Sequence, residues 1–135
     1  MIEYRNERHI QCEQLKSLYD SVGWIAYTKD LKGLEQALIN SLYVVSAWHE
    51  EQLVGLIRVI GDGQTILYVQ DMLIHPDYQR QKIGTTLMSD VLETYKHVRQ
   101  KVLLTVDEPD VRGFYESFGF ESCDNGITVA FYKEF

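Results

Sequence analysis

Residues 69–88 read VQDMLIHPDYQRQKIGTTLM, and the reading of this stretch decides the fold. It opens as an apolar strand, is cut by His75-Pro76, crosses a polar turn at residues 77–82 and enters a periodic helix at about Ile83. A strand that runs through a tight loop into a helix leaves several backbone N–H groups without intrahelical partners. Those donors, with the positive end of the helix macrodipole, form a natural site for a phosphate. The loop is not a Walker P-loop, since no Gly-Lys-Ser/Thr is present, and no strand is followed by Gly-x-Gly-x-x-Gly.

Upstream, Gly61-Asp62-Gly63 is a strong turn, and residues 43–48, 53–60 and 65–74 are rich in strand formers. With the polar turn 49–52 they predict an antiparallel meander. Residues 70, 72 and 74 should share one face of the last strand, and Val69, Asp71 and Leu73 the other. Further back, Leu15, Leu18, Tyr19 and Val22 fall at helical spacing, so residues 10–22 predict a helix stopped by Gly23. Residues 24–27 should form a loop, after which Asp30 can cap a second helix with Leu31, Leu34, Leu38 and Leu42 as its buried stripe. Residues 2–5 make a short candidate edge strand.

Downstream, Leu87, Val91, Tyr95 and Val98 extend one apolar helix face. Residues 101–106 read as a strand buried on both faces. Pro109 can begin a short helix stopped by Gly119, and residues 120–123 and 128–132 predict a hairpin closed across Asp124-Asn125-Gly126. The order β-α-α-β-β-β-α-β-α-β-β implies a single mixed α/β (α+β) domain over residues 1–135, a sheet of about seven strands flanked by about four helices.

Hydrophobic residues make up 45% of the chain and charged residues 24%, ordinary values for a folded globular protein. Cys12 and Cys123 form no close pair, which fits a reducing, cytoplasmic setting better than a disulfide scaffold. No apolar run approaches the length of a membrane helix, so neither a signal peptide nor a membrane partner is expected. A net charge of −7 disfavours nucleic-acid binding, which relies on a basic surface. It suits a cationic partner, or serves solubility alone.

Two motifs give this plan a family. Gln79-Arg80-Gln81-Lys82-Ile83-Gly84, preceded by Pro76-Asp77-Tyr78, resembles the Gln/Arg-x-x-Gly-x-Gly/Ala signature of the GCN5-related N-acetyltransferases, the GNAT superfamily. Phe114-Tyr115-Glu116-Ser117-Phe118-Gly119-Phe120 matches that family's second signature, Phe-Tyr-x-x-x-Gly-Phe. Ser21-Val22-Gly23-Trp24 and the helix after it are similar to a bacterial and plastid branch that includes serotonin N-acetyltransferase-like proteins.

The resemblance implies acetyl-CoA as co-substrate. Backbone N–H groups of Gln79, Arg80, Gln81, Lys82, Ile83, Gly84 and Thr85 would cradle its pyrophosphate, and Met72, Leu73 and Ile74 would pair with the pantetheine arm. In the family the strand at 65–74 splays from the one after it to admit that arm. The chain departs from the signature at Lys82, where the family commonly has glycine. A positive φ there would cost a lysine about 1–2 kcal/mol; the reading favours a helical angle that frees the side chain to reach a phosphate.

Tyr115 matches the tyrosine that protonates the leaving thiolate in many members, against the alternative of a half-buried aromatic packed on its neighbours. Asp71 is the best carboxylate for a base, directly or through a water, or else a hydrogen-bonding strand-end residue. Trp24 and Tyr27 border the expected acceptor pocket, unless they only pack the core. His75, before a proline, reads as a loop residue, and the other histidines have no metal-ligand spacing, so no metal is expected. Neither cysteine sits in a motif with a histidine, so transfer should be direct. The acceptor would be a primary amine of a small molecule or peptide, and the family admits a homodimer. The alternative, from another class, is an acyl-CoA-binding sensor that keeps the fold without turnover.

Overall fold

The computed structural model describes residues 1–135, which form two compact units, 1–103 and 104–135. The first unit is a five-stranded sheet in the order β1-β2-β3-β4-β5: β1 Ile2–Arg5, β2 Tyr43–His49, β3 Gln52–Gly61, β4 Ile66–Ile74 and β5 Gln100–Leu103. β1 to β4 pair antiparallel, and β5 lies parallel to β4. The expected meander is therefore present.

Three helices precede β2: α1 Cys12–Ser21, α2 Ile25–Thr28 and α3 Leu31–Ile39. Gly23 turns the chain out of α1 at φ 81. The expected loop at 24–27 is wound into α2, one helical turn. Asp30 caps α3 by accepting from Gly33 N–H at 3.0 Å, as its position predicts. Leu15, Leu18 and Tyr19 of α1 and Leu34 and Leu38 of α3 are buried against Val44, Trp48, Leu53, Leu56 and Leu73 of the sheet. Fully burying side chains of this size contributes about 1.5–3 kcal/mol each.

The helix α4, Ile83–Thr94, buries Ile83, Leu87, Met88 and Val91 and contacts β2, β3 and β4. It lies on the sheet's other face. A Cβ added at Gly55 would meet Ile83 Cγ2 at 3.0 Å, Ile74 Cδ1 at 3.1 Å and Ala47 Cβ at 3.3 Å. The glycine thus lets the start of α4 sit down on β3 and β4.

The faces of β4 differ from simple alternation. Asp71 pairs with Arg58 but Val69 pairs with Val59, so Gln70 is an extra residue opposite no partner. Adjacent residues of β3 point to opposite faces, and paired residues share a face. Val69 is therefore on the α4 face and Asp71 and Leu73 on the α1 face, instead of all three together. A bulge shifts the register in this way.

The second unit holds α5, Pro109–Glu116, and a 3-10 turn, Cys123–Asn125. Arg112 ties it together, donating to Asp107 at 2.6 Å and Asp124 at 3.2 Å. Phe114 packs edge-on against Phe118 at 5.2 Å, and Gly119 at φ 91 turns the chain so that Phe120 N–H reaches Tyr115 C=O.

Three expectations fail here. The count is five strands and five helices, not seven and four. The strand expected at 101–106 ends at Leu103, at the sheet edge with one neighbour, and Leu104 and Val106 are exposed. The closing hairpin at 120–123 and 128–132 is not formed, because its turn residues are used otherwise. Asn125 N–H bonds to Ser122 C=O and Gly126 N–H to Cys123 C=O, and Gly126 sits at φ −131. A two-residue Asn-Gly hairpin turn needs positive φ at both positions.

Candidate active site

β4 runs through a 3-10 turn, Pro76–Tyr78, into α4. His75 starts the turn: its N–H donates to Val54 C=O at 2.8 Å, and its Nδ1 accepts from Asp77 N–H at 3.1 Å. It is the loop residue that the sequence predicts. Tyr78 hydroxyl shares a 2.8 Å hydrogen bond with His49 Nδ1, and Gln79 Nε2 reaches back to Ile74 C=O at 3.3 Å. The turn is thus pinned on both sides to the strands it leaves.

Past Gln79 the backbone is unusual. Arg80 has φ 66 and Lys82, the N-cap of α4, has φ 64 and ψ 18. The helical angle expected of Lys82 is therefore wrong. The chain adopts the left-handed conformation that glycine would take there, at a cost of about 1–2 kcal/mol. Strain of this kind persists only where the surroundings impose it, and it gathers at functional sites.

No side chain caps α4, and its first turn holds no acidic residue. Arg80 and Lys82 are exposed. Uncapped backbone donors, a helix dipole and two cations make a donor set that fits a pyrophosphate. Alongside, β5 pairs only with residues 66–69 of β4. From Gln70 to Ile74 the strand has β3 as its one strand partner, so no second strand runs along the stretch holding Met72, Leu73 and Ile74.

A second group of side chains meets on the other face. Asp71, 2% exposed, accepts from Arg58 Nε at 2.7 Å and Tyr19 hydroxyl at 2.8 Å on Oδ2. On Oδ1 it accepts from Tyr27 hydroxyl at 2.6 Å. Arg58, 7% exposed, also faces Ser41 Oγ at 3.5 Å. Burial works against the charge of Arg58, but the carboxylate beside it outweighs that and raises its pKa. Burial, then the Asp71 charge, push the Tyr19 phenol well above its ordinary range, and burial with the Asp71 hydrogen bond raises Tyr27. A buried carboxylate with three donors is not open to water.

Tyr27 and Trp24 have ring centroids 6.3 Å apart; Trp24 is 38% exposed, and Tyr27 is partly buried against the core. Tyr19 packs edge-on against both. Arg58, Tyr19 and Gln70 were not singled out by the sequence. The available signal was Arg58 itself, a lone cation inside the apolar run 53–60, which needs a buried counter-charge.

In the second unit, Tyr115 packs edge-on against Phe114 at 5.1 Å and Phe120 at 6.0 Å. Burial raises its phenol pKa, so it stays protonated at neutral pH. Among the histidines, cysteines and carboxylates, no group of three or more could hold a metal ion. No helix is long and apolar enough to cross a membrane.

Comparison with known proteins bears on this arrangement. The family model described as the acetyltransferase (GNAT) domain matches residues 23–131. A protein of Prochlorococcus marinus, named an uncharacterized ycf52-like N-acetyltransferase, is 32% identical over 93% of this chain and 71% of its own. A ycf52 protein of Porphyra purpurea, also named an uncharacterized N-acetyltransferase, is 29% identical over 94% of this chain and 74% of its own. Among solved structures, a GNAT-family acetyltransferase of Streptococcus pneumoniae superposes with a TM-score of 0.85 at 35% identity, covering 99% of this chain and 98% of that one. The strand–turn–helix junction and the family match agree: the chain belongs to the GNAT acetyltransferases, which use acetyl-CoA, and it is an N-acetyltransferase.

Proposed function

We propose that the protein moves an acetyl group from acetyl-CoA directly to a primary amine of a small molecule or peptide. One observation carries this reading: β4, which a second strand flanks only at residues 66–69, leads through one short turn into the uncapped start of α4. In this reading the edge at Met72, Leu73 and Ile74 pairs with the pantetheine amides, and residues 79–85 hold the pyrophosphate. Acetyl-CoA supplies an activated thioester, whose C–S bond breaks as the C–N bond forms.

The chain's residues manage the protons. Tyr115, a phenol and so protonated at neutral pH, gives its proton to the departing sulfur in this reading. The amine must lose a proton in turn. Asp71 was the expected base, but Arg58, Tyr19 and Tyr27 enclose it, so any proton path to it runs through the Tyr27 hydroxyl. Trp24 and Tyr27 line the amine's approach in this reading. The reading also places the reaction in a reducing cytoplasm, which two free cysteines suit; a homodimer, which the family admits, is checked by sizing in solution.

The test is thiol release from acetyl-CoA over a panel of amines. Turnover with at least one amine, cut by at least tenfold in kcat in Tyr115→Phe, is the expected result. Tight CoA binding with no turnover on any amine would instead make the protein a sensor.

A further inference from the structure

We infer that Tyr27 is an obligate hydrogen-bond acceptor toward the amine substrate, and that Asp71 is the positioning residue that makes it one. This rests on the acetyltransferase reading, whose acceptor it describes. A phenol hydroxyl has one proton to give and two lone pairs. The proton of Tyr27 goes to Asp71 Oδ1 at 2.6 Å, and Gln70 Nε2 donates into one lone pair at 3.1 Å. A carboxylate paired with a guanidinium only accepts, so Tyr27 cannot reverse its role. One lone pair is left for a ligand, and the carboxylate behind it makes that oxygen richer in electrons.

The bulge completes the arrangement. As the extra residue on β4, Gln70 escapes strict alternation and reaches the same tyrosine hydroxyl as its neighbour Asp71. Tyr27 is half-buried and lies beside the exposed indole of Trp24. The corner therefore offers an acceptor oxygen beside aromatic surface. Its matching ligand carries an N–H donor on an apolar carbon body: a primary amine, favoured over an alcohol of the same shape or a quaternary ammonium, which has the charge but no N–H.

The experiment measures binding of hexylamine, hexyltrimethylammonium and 1-hexanol to the whole chain by tryptophan fluorescence, with and without CoA. Hexylamine should bind about tenfold more tightly than either analogue, the worth of one charge-assisted hydrogen bond. Tyr27→Phe keeps the ring and should abolish that preference. Asp71→Asn should shrink it severalfold and raise the amine KM, while the acetyl-CoA KM stays within about twofold. If Asp71→Asn does not fold, Tyr27→Phe decides alone. Equal binding of hexylamine and its trimethyl analogue, no binding of hexylamine, or a preference that survives in Tyr27→Phe overturns the inference. An intact preference without thiol release from any amine would sustain it and overturn the acetyltransferase reading instead.

Discussion

Asp71 and Lys82 lie eleven positions apart on one strand–turn–helix segment, and the protein treats polar groups at the two ends in opposite ways. Around Asp71 the carboxylate is buried and both its oxygens are engaged: a guanidinium and two phenols converge on it. Around Lys82 the helix start is uncapped, the cations are exposed and the backbone is left-handed at Arg80 and Lys82. The first region is complete by itself and braces α1 and α2 against the sheet. The second leaves helix-start donors uncapped, and the anion proposed for it would add its stabilisation on binding, as RT ln(1 + [L]/Kd). One region closes its hydrogen bonds within the fold and the other leaves them open.

The strongest way to break this contrast is to unpair the closed region. Arg58→Leu leaves the Asp71 carboxylate buried without its cation and should cost about 3–5 kcal/mol. Urea denaturation at constant m measures it. Arg58→Leu with Asp71→Leu should lose less than the sum of the two single changes, because the double variant strands no charge. A single-variant loss under about 1 kcal/mol would mean that the pair is not closed to water.

Alkali should strain the same region through Tyr19. Its folded pKa lies well above the ordinary value, chiefly by burial. Between that ordinary value, near 10, and the folded one, the unfolded chain releases the proton and the folded chain keeps it. Stability is therefore full below about pH 10 and falls above it, by up to about 1.4 kcal/mol per pH unit for this group. Tyr19→Phe should be less stable at pH 7, by about 1.5–3 kcal/mol for a hydrogen bond to a charged acceptor, yet show a flatter decline above pH 10. Denaturation midpoints from pH 7 to 11 give both numbers, and parallel curves for the two proteins would contradict the assignment.

The two regions were unequally legible in sequence. The turn announced itself because its chemistry is local: Gln79 to Gly84 follow one another, and a strand running into a helix start exposes its donors whatever the rest of the chain does. Asp30 was readable for the same reason, as its cap spans three residues. The closed region joins Tyr19, Arg58 and Asp71 from three elements, and their meeting depends on a register that the bulge at Gln70 shifts. Strict alternation put Asp71 on the face of Val69, and nothing local marks the extra residue. The closing hairpin failed for a related reason: Asn125-Gly126 permits a tight hairpin turn, but the same residues also serve a 3-10 turn, and sequence cannot choose between them. Lys82 was misjudged since side-chain preference says little about an angle imposed by the chain on either side.

The smallest expected effect is the sharpest on the contrast, because it has opposite signs in the presence and absence of ligand. Lys82→Gly removes a left-handed lysine, relieving about 1–2 kcal/mol, and returns about 0.5–1 kcal/mol through the freer unfolded chain. The free protein should therefore gain about 0.5–1 kcal/mol in urea denaturation. The same change deletes an exposed cation at the proposed pyrophosphate cradle, so CoA should bind severalfold more weakly by calorimetry, with the difference shrinking as salt rises. Arg58 and Tyr19 variants cannot behave this way, since both side chains are buried and hydrogen-bonded to Asp71. A gain in stability together with tighter CoA binding would mean that Lys82 is strain without compensation, and that Arg80 and the backbone donors hold the phosphates without it.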